Sequence, residues 1–210
     1  MNDEPWAVRA ERRRDAAILD CSLKSFNALG CFHAKIDDVV AEVGIGKGTL
    51  YRHYASRNEL FAATLRANID ALVSHCREVW QAKEANPFAA FCAVIGELVR
   101  LNQDAAPLSP ATLTRLQCSG RWADPDDQTA KVDSIAVAFI PLVRAWQTAG
   151  LLHPGWDPGW IASVTLAIVG VSSAGPRSPV SVTDAAPLTV RMLQQSFMSE
   201  PQPPAALTGD

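Results

Sequence analysis

Apolar residues recur every three or four positions along most of the chain, the mark of amphipathic helices, and no sustained alternation predicts a half-buried strand. The first such segment is 11–29, with Ile18, Leu19, Phe26 and Leu29 on one face and Gly30 as a stop. Residues 36–43 predict a short second helix that Gly44 breaks, and about 47–53 a third. Ser56-Arg-Asn-Glu59 has the spacing of a capping box and opens a long fourth helix through Leu60, Leu65, Ile69, Leu72, Cys76 and Trp80. Asn86-Pro87 and Ser109-Pro110 are further start signals, the second for a shorter helix to about Gly120. A helix over about Asp127–Thr148 is expected to kink at Pro141. Asp157-Pro158 opens one to about Ser172, residues 174–183 read as a loop, and Asp184 caps a last helix. The pattern predicts an all-α protein of about nine helices. Its expected parts are a flexible arm over 1–10, a three-helix domain over 11–55, a larger helical domain over 56–199 and a disordered tail over 200–210.

Composition adds little to that picture, and the distribution of charge adds more. With 19 basic and 22 acidic residues, the net charge of −3 makes no case for nucleic-acid binding. Residues 1–57, however, carry nine Lys/Arg against eight Asp/Glu, and the stretch 43–58 holds Lys47, Arg52 and Arg57 with no acid. A local positive patch is what a phosphate backbone responds to. The five cysteines are scattered with no Cys-x-x-Cys pair, which fits buried thiols in a reducing cytoplasm rather than disulfides or zinc. The first residues have no apolar core, so no signal peptide is expected. The uncharged stretch 158–176 holds three Gly and three Ser, too little apolar density for a spanning helix.

The informative segment is Ile36 to Tyr54, which reads as helix, tight turn, helix. Val39, Val43, Ile45, Leu50 and Tyr54 can close one small core, and Gly44 offers the positive φ of a sharp turn. The second helix would then present Lys47, Thr49, Arg52 and His53 outward, where a major groove could receive them. Gly46 and Gly48 near its start would let backbone amides approach a phosphate, and Arg57 is placed for another.

Ile18 to Phe32, Gly44-Ile-Gly-Lys-Gly-Thr-Leu-Tyr-Arg-His-Tyr54 and Ser56-Arg-Asn-Glu-Leu60 together resemble the DNA-binding domain of the TetR family of regulators. The resemblance covers about 50 residues; beyond it only the helix layout agrees, including Gly150-Leu-Leu-x-Pro-x-x-Asp-Pro158. It implies an N-terminal helix-turn-helix DNA-binding domain and a C-terminal helical ligand-binding and dimerisation domain. It implies that Lys47, Thr49, Arg52 and His53 face the groove or its edge, while Tyr51 and Arg57 hold phosphates. A core position for Tyr51 is the alternative. Arg12, Arg13 and Arg14 stand evenly between a solvated face and a DNA-contacting arm. The chain departs from the family pattern at Lys35, where a Thr or Ser cap is usual, at Val40, where Ala is usual, and at Gly46, where Ser is usual.

These features predict a cytoplasmic, ligand-responsive transcription regulator, a repressor released by a small apolar molecule, that binds a palindromic double-stranded DNA operator as a homodimer and carries no cofactor, metal or enzymatic activity. The expected effector pocket is largely apolar and formed by Phe88, Phe91, Cys92, Ile95, Trp122, Phe139, Val143 and Trp146. The expected dimer interface is a four-helix arrangement using Trp160, Ile161, Val164, Ile168, Val171, Leu188, Leu193 and Phe197. A constitutive DNA-binding protein without ligand is the rival reading, disfavoured by the size of the second domain. An enzyme is a weaker rival. Gly44 to Thr49 looks like the end of a nucleotide-binding loop, but such a loop needs Gly at position 41, which is Ala, and a preceding strand where the chain reads as helix.

Overall fold

The computed structural model describes residues 6–29, 34–103, 135–172 and 182–201. Among them are eight α-helices and no strand: α1 Trp6–Leu29, α2 Ile36–Val43, α3 Lys47–His53, α4 Arg57–Gln81, α5 Pro87–Gln103, α6 Ile135–Thr148, α7 Pro158–Ser172 and α8 Val182–Phe197. The helix expected from Ser109-Pro110, Trp122, the start of the helix expected at Asp127 and most of the 174–183 loop lie outside the described residues. None of the described helices is long and apolar enough to cross a membrane.

The described residues up to Ala71 form one compact unit and those from Leu72 onward form another, with α4 contributing to both. The first unit is built on α1 to α3 and the start of α4. Its core joins Ile18 and Cys21 of α1, Val39 and Val40 of α2, Leu50 of α3, Tyr54 and Leu60. Phe26 of α1 meets Phe61 of α4 edge to face at 5.1 Å. Burial pushes the Cys21 thiol up to about 12, so it stays protonated and behaves as a small apolar side chain. α1 is helical from Trp6 rather than from residue 11, which places part of the expected arm in the helix. The Ala, Arg and Glu residues of 7–14 are good helix formers without an apolar stripe, so propensity extends the helix where periodicity is silent. The Ser56 hydroxyl accepts the Glu59 amide at 3.1 Å, as the capping box requires. Glu59 reaches back one residue further than expected, to the amide of Ala55 at 2.6 Å.

In the second unit α5 supplies Phe91, Val94, Ile95 and Leu98 to the core, and α6 supplies Phe139, Leu142, Val143 and Trp146. Asn86 caps α5 through the Ala89 amide at 3.1 Å, and Asp157 caps α7 through the Trp160 amide at 2.8 Å. α6 continues through Pro141, whose ring is exposed, so the missing donor falls on its outer side. Gly150, at φ 73°, ends α6 in a Schellman turn in which the Leu151 amide donates to the Trp146 carbonyl at 3.0 Å. Gln147 then holds the carbonyls of His153 and Trp156, and the Trp156 indole donates to Ser199 at 2.9 Å, tying the connection to the end of α8. α8 starts two residues before the expected cap, with Asp184 inside its first turn.

Candidate DNA-binding surface

α2 is amphipathic at short range: Val39 and Val40 are buried, while Asp37, Asp38, Ala41 and Glu42 face outward. Lys35 occupies its N-cap in an extended conformation and makes no side-chain cap, as its identity leads one to expect. Gly44 closes the helix at φ 73°, a conformation that costs an L side chain about 1–2 kcal/mol. The Ile45 amide donates across the turn to the Val40 carbonyl at 3.0 Å. That turn redirects the chain, and α3 starts three residues later from an extended Gly46.

One buried side chain, Leu50, anchors α3 to this core, and Tyr54 follows it inward at the helix end. The rest of α3 is a display. Lys47, Gly48, Tyr51 and Arg52 are exposed, and Thr49 is half-buried. Tyr51 is 46% exposed, so it is not a core aromatic; Leu50 and Tyr54 fill the inner face. A Cβ built on Gly46 or Gly48 would meet no protein atom within 4 Å. Packing therefore does not demand glycine at either position.

The cations of the surface are not equivalent. Lys47 pairs with Asp37 of α2 at 2.6 Å, and that hydrogen-bonded carboxylate raises the lysine's pKa. Arg52 reaches Thr49 within the same helix at 3.4 Å. His53 turns away from the display: its Nδ1 lies 3.0 Å from the Asp15 carboxylate of α1, a close polar contact not aligned as a hydrogen bond. Arg57 donates to the Ala34 carbonyl at 3.0 Å, which ties the start of α4 to the approach of α2. Sequence reasoning placed His53 and Arg57 outward; the structure gives both an internal partner. Arg12, Arg13 and Arg14 are exposed along α1, on a helix rather than an arm. Asp37 and Asp15 are the participants that sequence reasoning missed; no local spacing pairs them with α3.

Residues 18–64 match the family described as bacterial regulatory proteins, tetR family. The chain is 26% identical over 156 residues to the HTH-type transcriptional regulator RutR of Escherichia coli O157:H7, covering 70% of this chain and 68% of that one. Its fold matches a TetR-family transcriptional regulator structure from Syntrophomonas wolfei with a TM-score of 0.61, at 14% identity, over 89% of this chain and 95% of the other. Residues 18–64 thus carry the N-terminal domain of the TetR family of bacterial regulatory proteins. Other curated HTH-type regulators match over a shorter stretch, and the chain spans only 31–34% of their length. The fold also resembles AibR, solved in complex with isovaleryl coenzyme A and operator DNA, with a TM-score of 0.58, at 18% identity over 88% of this chain and 98% of that one. In a TetR-family transcriptional regulator, the α2–α3 pair is the DNA-binding helix-turn-helix.

The residues expected to line an effector pocket separate into two groups. Phe91, Ile95, Phe139, Val143 and Trp146 are at most 1% exposed and form close-packed core, with Phe91 and Trp146 edge to face at 4.9 Å. Phe88 and Cys92 instead border a groove of about 350 Å³ between α5 and α8, completed by Ala186, Pro187, Val190, Arg191 and Gln194. Trp122 lies outside the described residues. The buried Trp146 indole N–H has no hydrogen-bond partner among the described residues.

The expected interface residues also divide. Ile161, Leu193 and Phe197 are buried in the chain's own core, so they are not available to a second copy. Trp160 and Leu188 are 56% and 41% exposed, and Val164 and Ile168 are half-buried. Met192, one turn beyond Leu188, is exposed as well and was not anticipated. The side chain of Val171 lies outside the described residues.

Proposed function

We propose that this chain is a repressor that binds a palindromic operator as a homodimer and is released by a small, largely apolar molecule. The observation that carries the reading is the construction of α3. A single buried leucine and a left-handed glycine turn hold it against α2, and every other position from Lys47 to Arg52 is open or half-open. Lys47, Thr49, Tyr51 and Arg52 supply the polar groups, and Gly46 and Gly48 leave the backbone accessible at the helix start. Arg52 is the candidate for base recognition, since a guanidinium can hold a guanine edge through two hydrogen bonds. His53 contributes at most at the edge, because Asp15 occupies it. Arg57 donates to Ala34 and is the further candidate for a phosphate contact.

Dimerisation would use the outward faces of α7 and α8, with Trp160, Val164, Ile168, Leu188 and Met192 as its apolar content. Two such copies present two α3 helices, which suits a two-fold symmetric site. The effector would enter the second unit near Phe88 and Cys92 or by opening the core around Trp146, whose buried indole donor is a ready polar anchor. Effector binding acts if it stabilises one spacing of the two α3 helices over another. The reading is tested by recovering bound fragments from genomic DNA with the purified protein and screening compounds for release. Recovery of a symmetric site that Arg52→Ala abolishes is expected. Recovered DNA that no stabilising compound releases favours a constitutive DNA-binding protein instead.

A further inference from the structure

Lys47 is the one cation of α3 that a neighbouring element holds through a carboxylate aligned for hydrogen bonding, Asp37 at 2.6 Å. Both side chains are about 60% exposed, so the pair sits on the open surface and has no packing role. Asp37 belongs to the first turn of α2, next to Asp38, where the amide ends of the helix favour acids. The short aspartate side chain stays close to the helix, while the lysine reaches it on a flexible stem. A phosphate oxygen brought to the same ammonium has to compete with the Asp37 oxygen that already holds it.

We propose that Asp37 is an internal competitor for DNA: it occupies Lys47 in the free protein and must be displaced, or tolerated at a cost, whenever the surface engages a phosphate backbone. The proposal rests on the assignment of α3 to DNA. Its effect is uniform across sequences, because it concerns the lysine and the backbone rather than a base edge. It lowers affinity for all duplexes and so keeps the protein within reach of release. An exposed ion pair of this kind is weak, so the change in affinity it can cause is at most about fivefold.

The test is a double-mutant cycle on the full chain, read by fluorescence anisotropy with a labelled duplex of random sequence at several salt concentrations. Asp37→Asn should tighten binding about two- to fivefold, and Lys47→Ala should weaken it with a shallower salt dependence. In the Lys47→Ala background Asp37→Asn should change nothing. Asp37→Ser, which keeps a residue suited to a helix start, serves as the second variant if Asn perturbs α2, with circular dichroism reporting helix content. If Asp37→Asn leaves affinity unchanged while Lys47→Ala weakens it, the competition is refuted and the DNA surface stands. Equal tightening with and without Lys47 also refutes it, since the carboxylate would then act on DNA directly. If neither Lys47→Ala nor Arg52→Ala weakens binding, the surface itself is misassigned and the inference falls with it.

Discussion

Gly48→Ala separates the stability of the head from its function. Gly48 lies within α3 at an ordinary negative φ, and a Cβ there meets nothing within 4 Å. Glycine inside a helix is less favourable than alanine by about 0.5–1 kcal/mol, chiefly through the freedom it retains when unfolded. The substitution should therefore raise the resistance of the first unit to heat or urea by about that amount. If the start of α3 lies against a DNA backbone, the same methyl group intrudes on the approach. Losing one charge-assisted hydrogen bond from an amide to a phosphate costs about 1.5 kcal/mol, roughly tenfold in affinity. No charge is removed, so the slope of affinity against salt should not change. Urea denaturation followed by circular dichroism measures the first effect, and anisotropy with a random-sequence duplex measures the second. A variant that is more stable and binds as well as the wild type would refute the close approach of the α3 backbone to DNA. A variant that is less stable would refute the reading of Gly48 as open.

Gly44→Ala should do the opposite, costing about 1–2 kcal/mol of stability in the same urea experiment because φ 73° is strained for any side chain. Arg52→Ala should lower affinity for the recovered natural site by about 1–3 kcal/mol and flatten its preference over single-base variants in competition binding. Val164→Asp or Ile168→Glu should place an unpaired charge in the proposed two-fold contact, so sedimentation should shift from dimer to monomer while the fold, by circular dichroism, persists. Glu97 accepts two hydrogen bonds from Arg100 and one from His75, and these partners lower its pKa from the ordinary 4.5 to about 2. A carboxyl depressed in the folded state contributes stability above pH 4.5 that is lost as pH falls from there towards 2. Glu97→Gln should therefore be less stable than wild type at neutral pH, and the difference should close on acidification in urea melts.

The helix-turn-helix was legible because its signals are local. Gly44, Gly46 and the Ser56 to Glu59 spacing fix where α2, α3 and α4 begin or end, and those boundaries appear where the spacing puts them. Leu50 and Tyr54 were readable as inward because the short helix offers them only one core. What escaped was tertiary. Asp15 against His53 and Ala34 against Arg57 join elements distant in the chain, and no periodicity reports such contacts. α7 escaped for another reason. It is apolar nearly all round, so its pattern does not distinguish Ile161, which the core takes, from Trp160, which stays outside. The groove beside Phe88 was half-visible: its α5 wall was anticipated, but its α8 wall of Ala186, Val190 and Gln194, spaced one turn apart, was not.

The central claim is that α3 reads a two-fold symmetric DNA site, and hydroxyl-radical footprinting on a fragment recovered from genomic DNA tests it most directly. The account predicts two equivalent protected patches, their centres separated by about one helical turn or a multiple of it, with protection lost for Lys47→Ala combined with Arg52→Ala. A single asymmetric patch, or a footprint that survives the loss of both side chains, would contradict it.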